Sequence, residues 1–127
     1  MAGGISSPSL ASAVRKFGGV GSSGFAYSTL EEINSTLDIT RKLIKWPLNT
    51  NFFVFDLVNS PSKQRKAETL KALNSLPIAK NLLIELPDKP YFPDFELQLE
   101  PIWLHKRQIL TFQLEIPPRN VMDRARG

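Results

Sequence analysis

Two kinds of apolar spacing run along this chain, and each predicts a different element. Leu30, Ile33, Leu37 and Ile44 recur near the helical period, behind Ser28 and Glu31 at the spacing of a capping box. They predict a helix, although beyond Asp38 the positions Leu37, Ile39 and Leu43 equally fit a strand; Pro47 ends either element. Phe52–Val58 is apolar except for Asp56 and rich in aromatic and β-branched residues, the pattern of a strand covered on both faces. Asn59-Ser60-Pro61 then supplies capping side chains and a proline for an early helical position. The helix is expected to reach Asn74, burying Ala67, Leu70 and Leu73. Leu82–Leu86 reads as a second buried strand. Strand, helix and strand in that order predict a crossover between parallel strands.

The C-terminal part has the clearest period-two pattern. Phe95, Leu97 and Leu99 alternate with Glu96, Gln98 and Glu100, and Leu110, Phe112, Leu114 and Ile116 alternate with Thr111, Gln113 and Glu115. A turn at Lys106-Arg107 sets Leu99 opposite Leu114, Leu97 opposite Ile116 and Trp103 opposite Leu110, so one register assembles one apolar face. Pro101 places the first of these strands at an edge or a bulge. The expected fold is therefore a small single α/β (α+β) domain with a mixed sheet. It contains a strand-helix-strand unit and a long C-terminal antiparallel hairpin.

Composition adds an N-terminal arm. Of 127 residues, seven are glycine, and six of these lie in the first 24 positions; nine of the ten prolines lie at or after Pro47. The first 30 residues are serine-rich and hold no Asp or Glu. Such a segment buries too little apolar surface to order itself alone. The chain thus divides into an extended arm (1–28), a domain (29–118) and a basic tail (119–127) carrying Arg119, Arg124 and Arg126. The arm's composition is also that of a transit peptide, so organellar import stays open, whereas no apolar block of signal-peptide length follows Met1. A virion or cytoplasmic location is expected.

Several chemistries lose their residues. No cysteine is present, so disulfides and thiolate metal sites are excluded, and one histidine leaves no triad or histidine-based metal cluster. No metal and no cofactor is expected. Gly19-Val20-Gly21-Ser22-Ser23-Gly24 matches the dinucleotide fingerprint G-x-G-x-x-G. A buried strand should precede it and an acidic residue should follow some twenty positions on; neither is found, so the match is read as chance in a Gly-Ser segment. His105, beside a hairpin tip, lacks an orienting carboxylate and reads as an interface residue. Arg41 to Lys80 holds eight bases against Asp56 and Glu68. Within it Lys63, Arg65, Lys66 and Lys71 are candidates for anion binding.

No set of acid, base, nucleophile and cofactor groups assembles from these residues, so the sequence is read as a non-enzyme. The expected role is a structural subunit of a large multi-protein assembly, a virion or phage tail or baseplate component foremost. Its partners would be other protein subunits or copies of itself, with no membrane. Leu10, Val14 and Phe17 on the arm, Tyr91 and Phe92 among prolines, and Pro101 and His105 on the hairpin are the expected interface residues. The alternative is a nucleic-acid-associated subunit, as in a ribosome-like particle, acting through the basic 41–80 segment.

Overall fold

A computed structural model describes residues 5–45, 47–55, 60–88, 90–105 and 108–127. The chain divides into two compact units, residues 57–92 and the remainder. The larger unit opens with α1 (Pro8–Lys16), where Ser7 caps the helix by accepting from the Leu10 N–H at 3.1 Å and Pro8 takes the first helical position. Gly18, at φ +86°, turns the chain out of this helix, and a side chain at Gly21 would collide with the Ala11 carbonyl. Gly18 and Gly21, the latter within the G-x-G-x-x-G match read as chance, bring the short strand β1 (Ser22–Gly24) against α1. The residues expected to form an extended arm are thus a helix and a strand, with Ala11 and Ser12 buried.

The helix α2 spans Leu30–Leu43. Its capping box is Thr29 and Glu32, one residue beyond the Ser28 and Glu31 expected: the Glu32 N–H donates to Thr29 Oγ1 (3.3 Å) and the Thr29 N–H donates to Glu32 Oε2 (2.9 Å). Ile33, Leu37 and Thr40 face inward, which resolves the ambiguity after Asp38 in favour of helix. The strand β2 is Leu48–Val54, earlier than the Phe52–Val58 segment, whose residues Asp56, Leu57 and Val58 lie outside the described ones.

The largest correction follows Pro93. Phe95–Leu104 is a helix, α4, not the first arm of a hairpin. Asp94 Oδ1 accepts from the N–H groups of Glu96 (2.9 Å) and Leu97 (3.1 Å), starting a helix whose buried face is Gln98, Leu99 and Ile102. Pro101 lies inside this helix and is buried, not on a sheet edge. The turn expected at Lys106-Arg107 lies outside the described residues. The strand β3 (Gln108–Leu114) pairs with β2 in parallel, Leu48 opposite Gln108 and Val54 opposite Leu114. The three strands run in the order β1-β2-β3, and both pairings are parallel, so the mixed sheet and antiparallel hairpin are overturned. The segment expected as a basic tail forms α5 (Arg119–Arg126).

One face of the sheet carries the core. Leu48 and Phe52 of β2 pack with Ala11 of α1, Ile33 and Leu37 of α2, Leu99 and Ile102 of α4, and Val121 of α5. Leu110 and Phe112 of β3 join them, half-buried. Phe52 meets Phe25 with ring centroids 5.7 Å apart. Gln98, buried in α4, ties that helix to the segment after β1: its Nε2 donates to the carbonyls of Phe25 (2.9 Å) and Ser28 (2.8 Å).

The smaller unit holds α3 (Lys63–Asn74), capped by Ser62, and a short 3-10 helix, Pro77–Asn81. The expected cap at Asn59 lies outside the described residues. α3 buries none of its residues: Ala67 is exposed, and Leu70 and Leu73 are half-buried. Leu82–Leu86 is irregular, so no strand-helix-strand unit forms here. β2 instead takes β3 as its parallel partner, and both strands belong to the larger unit.

Candidate functional site at the sheet face

Residues of odd number along β2 and β3 point away from the core. Parallel register puts Ser22 beside Asn49, and Asn51 between Gly24 and Thr111. A hydrogen-bonded ladder crosses all three strands on this face. Asn49 Nδ2 donates to Ser22 Oγ (2.7 Å), Thr111 Oγ1 donates to Asn49 Oδ1 (3.1 Å), and Asn51 Nδ2 donates to Thr111 Oγ1 (2.9 Å). The ladder ends on Asn51 Oδ1, which is buried and accepts no hydrogen bond. A cleft of about 280 Å³ opens over it, lined by Ser6, Ser22, Asn49, Asn51, Thr111 and Gln113 among others.

Toward the carboxyl end of the strands, beyond the cleft, this side of the sheet changes character. Phe53 shares its side of the sheet with Asn49 and Asn51 and forms an aromatic trio with Tyr27 and Phe55, with centroid separations of 6.0 Å (Tyr27–Phe53), 6.3 Å (Tyr27–Phe55) and 5.8 Å (Phe53–Phe55). Tyr27 is 56% exposed, so the trio presents an aromatic edge to solvent. Leu114, the last residue of β3, sits at φ 79°, a left-handed conformation that costs a non-glycine residue energy and recurs at functional sites. This side of the sheet thus offers hydrogen-bonding groups in its middle and aromatic surface toward its carboxyl end.

None of the interface or anion-binding residues expected from the sequence lines this cleft, whereas Ser22, Ser23 and Gly24 of the G-x-G-x-x-G match do. Leu10, Val14 and Phe17 are exposed on or just after α1, Phe17 at 93%. Pro101 is buried in α4, and His105 caps that helix with its Nε2 3.9 Å from Asp38 Oδ1. Tyr91 and Phe92 are half-buried in the smaller unit. There, Lys63, Arg65 and Lys71 are exposed, and Lys66 lies 3.4 Å from Asp88. Among the described residues no group of three or more His, Asp or Glu could hold a metal ion. Sequence reading missed Asn49, Asn51 and Thr111 because amides and hydroxyls in a strand carry no motif. The available signal was Asn-Thr-Asn leading into an apolar run, polar residues at alternate positions where a doubly covered strand would have none.

The nitronate monooxygenase family model matches residues 1–126. A solved structure of nitroalkane oxidase from Streptomyces ansochromogenes matches with a TM-score of 0.73 and 26% identity, over 99% of this chain and 35% of that one. The chain thus spans about a third of that relative's length. Its three-stranded parallel sheet with attendant helices matches part of a TIM barrel, in which catalytic residues sit at the carboxyl ends of the strands. No protein of curated function matches the chain. The expectations of a virion or phage-tail component, of a ribosome-like subunit, of assembly partners and of a non-enzyme are all overturned by the family match. By that match over nearly its whole length, the chain belongs to the nitronate monooxygenase family.

Proposed function

We propose that the chain forms part of an oxidoreductase that oxidises nitronates, or the nitroalkanes they derive from, at the carboxyl end of its parallel sheet. The observation that carries this reading is Asn51 Oδ1, a buried acceptor without a partner at the end of the ladder. A buried orphan costs stability in a purely structural role, so it marks a place where a ligand donor belongs.

The chemistry of the family name sets the requirements. Dioxygen reacts with organic substrates through a redox group, and flavins, haem, copper and non-haem iron are the common ones. Metal centres call for clustered ligands, whereas a flavin ring carries an N–H flanked by carbonyls. Asn51 Oδ1 is the acceptor this chain offers to such an N–H. When bound, that group would supply electron transfer to dioxygen. A nitronate is a planar anion whose charge rests on two oxygens. The Ser22 hydroxyl and the Gln113 amide line the same cleft and can donate to it. The Tyr27, Phe53 and Phe55 trio suits the alkyl part of the substrate.

The test is titration of the full chain with flavin mononucleotide and with flavin adenine dinucleotide, followed by oxygen uptake on adding propyl-2-nitronate. Saturable flavin binding and nitronate-dependent uptake are expected, and Asn51→Leu should weaken flavin binding about tenfold, the effect of losing one well-made hydrogen bond. Oxygen uptake and flavin affinity unchanged in Asn51→Leu would overturn the assignment of the sheet face. So would a wild-type chain that binds neither flavin.

A further inference from the structure

At the amino end of β3, on the helix side of the sheet, lies a second cavity of about 420 Å³, lined by Ile102, Trp103, His105, Gln108, Leu110 and Arg124 among others. Gln108 and Leu110 lie on the core side of β3, so this cavity and the cleft over Asn51 are on opposite faces of the sheet. Its volume falls within the range of small-molecule sites.

Two observations give the cavity a chemistry. First, Oε1 and Nε2 of Gln108 are both buried, and neither has a hydrogen-bond partner. One orphaned atom is a modest defect; a whole amide left unpaired on a cavity wall is a demand for a donor and an acceptor side by side. Second, Arg124, the one Lys or Arg among the described lining residues, is already engaged. The Arg124 guanidinium lies 4.7 Å over the Trp103 ring, and its Nη1 is 3.7 Å from Glu100 Oε1. With its charge answered, Arg124 does not require an anionic ligand. Ile102, Leu110 and Trp103 provide apolar walls that favour a flat body over loose water.

We infer that this cavity is a binding site for a small, neutral, planar molecule that carries an N–H beside a carbonyl, a primary carboxamide or a lactam. The ligand N–H donates to Gln108 Oε1, and its carbonyl accepts from Gln108 Nε2. The ring lies among Ile102, Trp103 and Leu110.

Benzamide is the probe, titrated into the nitrogen-15-labelled full chain. Saturable shifts are expected in the Gln108 side-chain amide pair and the Trp103 indole N–H, with the Asn51 amide unmoved. Gln108→Leu keeps the side-chain size and should lower benzamide affinity at least about tenfold, as two hydrogen bonds are lost. The Trp103 indole signal of that variant reports that it is folded. Benzoate, which accepts at Nε2 but cannot donate to Oε1, should bind about tenfold more weakly than benzamide. The proposal is overturned if the Gln108 amide does not respond, which leaves a cavity holding water alone. It is equally overturned if shifts are confined to Asn51, if Gln108→Leu binds as well as the parent, or if benzoate matches benzamide.

Discussion

The two faces of the sheet are built from the same strands by opposite rules. On the helix side, Leu48 and Phe52 are fully buried and meet four helices in one apolar cluster. On the other side, Asn49, Asn51 and Thr111 hold one another by hydrogen bonds, and the last acceptor is left unpaired. Burial on the first face is non-directional and returns free energy in proportion to area. A ladder of amides returns little net free energy on the second, because water would satisfy the same groups in the unfolded chain. The difference teaches that packing and open polar surface are separated by residue parity along β2: even positions hold the fold, odd positions face the proposed site.

The sharpest way to break that division is at Phe52. Phe52→Ala deletes a fully buried ring that packs on Phe25, and should cost about 3–5 kcal/mol of unfolding free energy. Urea titration with a circular dichroism readout measures it. A loss below about 1 kcal/mol would mean that the helices close over the gap, and that the core face is less tightly specified than its burial implies.

A smaller effect is expected where a polar group works inside the core. Gln98 donates to two carbonyls on the segment after β1, and both acceptors lose that donor in Gln98→Leu. The expected cost is about 1–3 kcal/mol, with the apolar gain of leucine too small to offset it. Gln98→Glu should be comparably harmful, since an ionised carboxylate offers no donor to either carbonyl. Equal stability of parent and leucine variant, read from thermal denaturation, would show that the tie is dispensable.

At Asn51 the two faces give opposite expectations for one substitution. Asn51→Leu removes the orphaned acceptor together with the Nδ2 bonds to Thr111 Oγ1 and to the Thr111 carbonyl, so stability should change by about 1 kcal/mol or less. Flavin binding should nevertheless fall, as set out for the proposed function. A large loss of stability with intact binding would reverse the assignment of odd and even positions.

How much of this was legible depends on which residues speak locally. The α2 pattern was readable because Ile33 and Leu37 share a face and a capping pair stands before them, although the pair is Thr29 and Glu32. The α4 segment was misread because Phe95, Leu97 and Leu99 alternate, yet Phe95, Gln98, Leu99 and Ile102 also fit one helical stripe. Asp94 as a cap, accepting from two N–H groups, decides between them. The pairing of β2 with β3 joins residues about sixty positions apart, and nothing local encodes it. The site was least legible of all. Asn51, Thr111 and Ser22 become a site only when parallel register stacks them, and register is a tertiary property.

The smallest expected effect tests whether the carboxyl end of β3 stores strain. Leu114 has φ 79°, where its Cβ crowds the following carbonyl at a cost of about 1–2 kcal/mol. Its side chain is 65% exposed and contributes little packing to offset that cost. Leu114→Gly removes the clash but adds backbone entropy to the unfolded chain, worth about 0.5–1 kcal/mol in the other direction. The net result should be stabilisation by about 0.5–1 kcal/mol, a rise of a few degrees in melting temperature for a chain of this size. A non-glycine residue kept in a strained conformation at the strand end where the reaction is proposed points to a role for its side chain there. Leu114→Gly should therefore bind nitronate or flavin less well while melting higher. A variant that melts lower would show that the left-handed turn at Leu114 is supported by its side chain and stores no strain.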